Sequence, residues 1–194
     1  NALLSMVLRR GTENFTSLTD INKELEDMYG ASLIIDVKKK GDIQVVKYAI
    51  EFLRDSALKN TEDLSERAIN LLSQILFRPL LKDGKFDREF VESEKKNLID
   101  LINSRINDKR SYAVFRCFEE MCKDEAFGIF EYGDIETVSQ ITPETLYDAY
   151  VEIIKTSVIT IFCIGKFDET SFTDKLKSLF TMERKPVALT NEVV

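Results

Sequence analysis

The chain has 194 residues, of which 44% are hydrophobic and 31% charged, enough for one domain with a sizeable core. Its 27 Lys and Arg against 34 Asp and Glu give a net charge of −7, which argues against a broad nucleic-acid footprint and against an anionic membrane surface. It contains no histidine, which removes the commonest general base and the commonest zinc ligand together.

The first dozen residues, from Ala2 to Thr12, form an apolar run ending in Arg9, Arg10 and Gly11. Leu3, Leu4, Val7 and Leu8 share one helical face, the arginines suit the negative end of a helix, and Gly11 is expected to supply a left-handed stop. Ser17 and Asp20 predict a capped helix carrying Leu18, Ile21, Leu25 and Met28, closed by Gly30. Ala31–Val37 and Gln44–Phe52 are β-rich and flank Lys38-Lys39-Lys40-Gly41-Asp42, which predicts an antiparallel hairpin with the lysines in a solvated turn. A helix buried on more than one side is expected from Asn60 or Thr61 to Pro79.

The longest helix is predicted from Asp87 to about Asn107, roughly 30 Å long at 1.5 Å per residue. Its core stripe reads Phe90, Val91, Leu98, Leu101, Ile102 and Ile106. Glu94 interrupts that stripe, and Lys95 and Lys96 offer it a surface ion pair. A helix from Ser111 to Cys122 is expected to pack through Val114, Phe115, Phe118 and Met121, followed by a loop with Gly128 and Gly133. Thr142 and Pro143 start a further helix, Ser157–Ile164 predicts a central strand, and Asp168 or Thr170 caps a last helix through Leu176 and Phe180. Residues 1–181 read as one domain and 182–194 as a linker toward a second one.

Cys117, Cys122 and Cys163 are an odd number and read as reduced thiols of a cytoplasmic protein, with Cys117 and Cys122 expected to be buried or half-buried. Cys117 and Cys122 point about 140° apart on a helix, which is unsuited to a shared metal. No stretch approaches ~18 consecutive apolar residues, and no signal peptide is visible, so no membrane association is expected. Phe130 and Tyr132, in a loop, are candidate contacts in a peptide groove.

Several motifs in order resemble the pitrilysin/insulinase-type zinc peptidases, the inverzincins. The run into Gly11-Thr12 is similar to that family's metal helix, which carries His-x-x-Glu-His before Gly-Thr. Met28-Tyr29-Gly30-Ala31, Ile75-Leu76-Phe77-Arg78-Pro79, Phe127-Gly128 with Gly133-Asp134, and Ile141-Thr142-Pro143-Glu144-Thr145-Leu146 resemble later landmarks. Val158–Gly165 with Asp168 resembles its last strand and turn. The resemblance implies an α+β two-layer sandwich of the LuxS/metallohydrolase-like, processing-peptidase type. It has a mainly antiparallel sheet with helices on one face, and here it lacks the family's first strands.

Laid on that pattern, the metal and base positions are Ala2, Ser5, Met6 and Leu101, with Glu94 at the family's supporting glutamate. Alanine and leucine cannot coordinate zinc, a thioether is a poor zinc ligand, and serine cannot replace a carboxylate base. The resemblance therefore implies no catalytic residue and no metal ligand in this chain. It implies an inactive bacterial subunit that binds peptide and forms a heterodimeric clamshell with a zinc-motif subunit, the zinc lying in that partner. A free-standing interaction or scaffold protein that kept the fold is the alternative, and an active zinc peptidase is disfavoured at all four positions. Elemental analysis of the purified chain is expected to find no stoichiometric zinc; one zinc per chain would contradict the assignment of those positions.

Overall fold

The computed structural model describes residues 1–55, 63–179 and 183–187. Within them the chain is α+β: eight α-helices and two separate two-stranded antiparallel hairpins.

Helix α1 spans Ala2–Leu8 and buries every residue except Met6. It ends through Arg9 in the right-handed region, and the Arg10 N–H donates to Val7 O at 2.9 Å. Gly11 is therefore not the left-handed stop expected of it. Its role is steric, since a Cβ there would sit 3.1 Å from Thr16 O and 3.2 Å from Phe15 O. Helix α2, Leu18–Asp27, begins as expected, with the Asp20 N–H donating to Ser17 Oγ at 3.1 Å. Tyr29 and Gly30, at φ 60° and 77°, turn the chain into strand β1.

Strands β1, Ser32–Lys40, and β2, Ile43–Glu51, pair from Ser32↔Glu51 to Lys40↔Ile43. The lysines 38–40 thus lie inside β1 and the turn is confined to Gly41 and Asp42. Helix α3, Leu64–Phe77, is capped by Asp63, and the proposed start at Asn60 or Thr61 lies outside the described residues. Leu64, Ala68, Ile69, Leu71, Ser73 and Ile75 are all buried, as a helix enclosed on several sides requires. A small hairpin, β3 (Leu81–Lys82) and β4 (Lys85–Phe86), then turns through Asp83 and Gly84, both at positive φ. An Asp-Gly pair is the usual chemistry of such a turn.

Helix α4, Arg88–Ser104, starts on an Asp87 cap and continues into a 3-10 turn at Arg105–Asn107, matching the expected span. Its stripe is narrower than expected. Val91 and Leu98 are buried, whereas Leu101 and Ile106 are exposed, left uncovered among the described residues on the outer side of the C-terminal half. Helix α5, Lys109–Met121, has no buried residue, so Val114, Phe115, Phe118 and Met121 do not join the core. They lie instead over the 3-10 turns at Arg105–Asn107 and Ala126–Gly128.

Helix α6, Ile135–Gln140, was not expected; its signal was Asp134, whose carboxylate accepts from Thr137 N at 2.8 Å. Helix α7, Pro143–Thr156, carries a full capping box between Thr142 and Thr145. The expected central strand at Ser157–Ile164 is not formed among the described residues. The segment is extended and exposed, with Phe162 at 85% and Ile164 at 99%. Its β-branched residues favour an extended backbone, but a strand needs a neighbour, and β1 and β2 pair only with each other. Helix α8, Glu169–Leu179, is capped by Asp168, which accepts from Ser171 N at 2.7 Å. Phe180 falls outside the described residues. Residues 183–187 run back along the end of α7, with Lys185 N donating to Lys155 O and Val187 N to Thr156 O.

The core joins α1, α2, α3, α4 and α7 to the inner face of the first hairpin. The fold class is therefore α+β as expected, but among the described residues no sheet exceeds two strands, and the helices are the bulk of the packing. One surface pair ties α7 to β4. Lys85 Nζ donates to Glu144 Oε1 at 2.5 Å and, together with the backbone N–H of Glu144 and the Thr142 hydroxyl, draws the Glu144 carboxyl from 4.5 down to about 2. A carboxylate depressed in the folded state stabilises above its unfolded pKa, and that contribution is lost as pH falls through the folded value. Lys85→Met is therefore expected to flatten the acid limb of the stability curve between pH 4.5 and about 2, read by urea melts along a pH series.

Candidate functional site

Helices α1 and α4 run antiparallel, and this brings the distant motif positions to one side of the molecule. Arg10, past the C-terminal end of α1, donates through Nη1 to Glu94 Oε1 at 3.1 Å. At the other end, Ala2 and Leu3 share a cavity with Leu98. Glu94 is only 6% exposed and also accepts from Asn97 Nδ2 at 3.0 Å. The lysines beside it are not its partners. Lys95 pairs with Glu92 at 3.3 Å and donates to Ile141 O at 2.9 Å, so the buried carboxylate is balanced by an arginine 84 residues away. Arg10 also lies over the Phe90 ring, 5.1 Å from its centroid, which holds the guanidinium in place.

At the four positions that the resemblance aligns with metal and base residues, the side chains make other contacts. Ala2 contributes a methyl group to the cavity wall. Ser5 is buried and spends its hydroxyl on Ala2 O at 2.7 Å. Met6 packs partly buried against the core. Leu101 faces outward at 42% exposure and does not line the cavity. Among the described residues no group of three or more His, Cys, Asp or Glu side chains could hold a metal ion. Zinc needs nitrogen, oxygen or thiolate donors converging on one point, and this donor set does not fit it.

The cavity itself has a volume of about 340 Å³ and lies between the N-terminal end of α1, the tip of the β1–β2 hairpin and the loop 129–134. Phe130 and Tyr132, proposed as groove residues, both line it, with ring centroids 5.4 Å apart. Phe130 is gripped from behind. The Arg105 guanidinium stacks 3.7 Å from its centroid, Phe115 meets its face edge-on at 5.9 Å, and Arg105 is fixed by Glu119 at 2.9 Å. Burial pushes the Tyr132 phenol upward, and the Asp36 and Glu131 carboxylates push it the same way.

Two residues that sequence reasoning passed over hold this loop to the hairpin. Lys39, read as part of a solvated turn, donates to the carbonyls of Ala126, Phe127 and Ile129 and lies 5.1 Å over the Phe127 ring. Gln44 donates to Glu131 O and accepts from Asn1 Nδ2 at 2.5 Å. The loop is tight enough that a Cβ on Gly128 would lie 2.1 Å from Cys122 O. Nothing in the local sequence signals either long-range bond. Of the two thiols expected to be buried or half-buried, Cys117 is exposed and Cys122 is partly buried; Cys163 is exposed. No helix among the described residues is long and apolar enough to cross a membrane.

No family model matches the sequence. The chain is 29% identical over 188 residues to a Bacillus subtilis (strain 168) protein named probable inactive metalloprotease YmfF, covering 97% of this chain and 44% of that protein. Its fold matches the crystal structure of a conserved protein from Enterococcus faecalis V583 with a TM-score of 0.86 at 25% identity, over 94% of this chain and 43% of that one. The chain thus spans less than half the length of both relatives. The Bacillus relative's name agrees with the reading of this chain as a metallopeptidase-like homologue that is not an enzyme.

The Arg10–Glu94 pair carries the seam between α1 and α4. Arg10→Ala strands a buried carboxylate and is expected to lower stability by about 2 kcal/mol. Pairing it with Glu94→Leu is expected to recover most of that loss, as read by chemical denaturation of the double-mutant cycle.

Proposed function

We propose that this chain belongs to a non-catalytic zinc-peptidase homologue that binds peptide and pairs with an active zinc-motif subunit of the same family. In that heterodimer the zinc, the water and the base belong to the partner, and this chain contributes wall and binding surface. The observation that carries the reading is the cavity beside Ala2. Ala2, one of the four positions aligned with metal and base residues, lines it, with Leu3, Leu98, Phe130 and Tyr132 forming apolar and aromatic wall and polar side chains at the mouth. A site that keeps a shaped concave surface after losing its donors suits binding without chemistry.

The exposed apolar side chains of α5 and of 158–164 support a partnered state, since isolated chains rarely leave such runs open. Three free thiols and an acidic, histidine-free composition suit a reducing compartment and support a cytoplasmic location. The alternative, a free-standing interaction protein, would use the same surfaces without a catalytic partner.

Mixing the chain with a zinc-motif subunit from the same source tests the proposal. Peptidase activity is expected to rise well above that of the zinc-motif subunit alone, and a copy of that subunit stripped of zinc should give none. A stable complex without added activity would favour the free-standing reading. Absence of any complex by light scattering would sink the partnered one.

A further inference from the structure

The cavity beside Ala2 is apolar at its floor and acidic at its rim. Leu3, Leu98, Val138 and Leu146 are nearly or fully buried at the floor, and Ile129 forms an exposed lip. At about 340 Å³ it is at the lower end of the roughly 300–1,000 Å³ of small-ligand pockets, room for a large side chain rather than for a whole cofactor.

The rim carries the acidic side chains of Asp42, Glu131 and Asp134, and Lys39 is its one basic side chain. Lys39 is already spent on three backbone carbonyls, and both Asp134 oxygens are taken by the N–H and hydroxyl of Thr137. Asp42 and Glu131 have no ion pair among the described residues, so they are the rim charges open to a ligand.

We propose that this cavity takes the apolar side chain of one residue of an extended peptide, with an adjacent basic residue of that peptide against Asp42 and Glu131. This rests on the reading of the chain as a peptide-binding homologue and adds the class of peptide. An acidic neighbour is repelled at the rim, and a polar side chain leaves its own groups unsatisfied at the floor.

Short fluorescein-labelled peptides with a Gly-Ser background and a central Leu-Lys, Leu-Glu or Asn-Lys pair test it by fluorescence anisotropy. Leu-Lys is expected to bind about tenfold tighter than Asn-Lys, the effect of burying one apolar side chain. Its advantage over Leu-Glu is expected to be roughly threefold or more and to shrink with added salt. Ile129→Asp, at an exposed lip, should erase the first preference, and Glu131→Gln the second, both with an unchanged circular dichroism spectrum. Equal affinity for all three peptides, or preferences that survive both substitutions, would overturn the inference and leave peptide binding standing. If none of the peptides binds, alone or with the zinc-motif subunit present, peptide binding itself falls.

Discussion

The seam between α1 and α4 is the constraint from which the rest of the architecture follows. A seven-residue helix with six buried residues cannot hold itself together, since so short a helix has little intrinsic stability. It persists because α4 lies antiparallel along it and because Arg10 and Glu94 fix their relative height. A buried charge pair is weak evidence of net stability but strong evidence of register, since sliding either helix by one turn would leave both charges unsatisfied. With that register set, Leu98 meets the N-terminal end of α1 and the floor of the cavity is defined.

The second organising contact is Lys39. One ammonium with three donors meets three carbonyls of a loop almost ninety residues away, and so anchors the hairpin tip to the wall that carries Phe130 and Tyr132. Arg105 holds the same wall from the opposite side by stacking on Phe130. Arg105 thus holds Phe130 itself, Lys39 holds the backbone that leads into it, and Phe130 and Tyr132 both face the cavity. Shape here is maintained by cation–carbonyl and cation–ring contacts, which do not require the metal helix to carry ligands.

What could be read from the sequence divides along physical lines. Caps and turns were legible, because Ser17, Asp87, Thr142 and Asp168 act on backbone N–H groups a few residues away. The helical stripe of α4 was legible at Val91 and Leu98 and misleading at Leu101 and Ile106, because periodicity marks a face without saying whether anything covers it. The same holds for α5 and for 158–164, where apolar and β-branched residues encode conformation but the covering surface is not encoded locally. The partners of Glu94 and Lys39 were illegible for a related reason: 84 and about 90 residues separate them, and charge pattern along the chain favours neighbours. Phe130 and Tyr132 were legible as loop aromatics, while the cavity with an acidic rim that they line required the fold.

Gly128 bears on how freely this molecule can change. A hydrogen is the only substituent it can carry toward Cys122 O, since even a methyl group would overlap that oxygen at 2.1 Å. Leu101 is partly open to solvent and admits side chains of almost any size. Substitution is therefore cheap on the outer side of α4 and closed at the glycine that shapes the wall, so the cavity's geometry constrains the chain more tightly than the helix beside it.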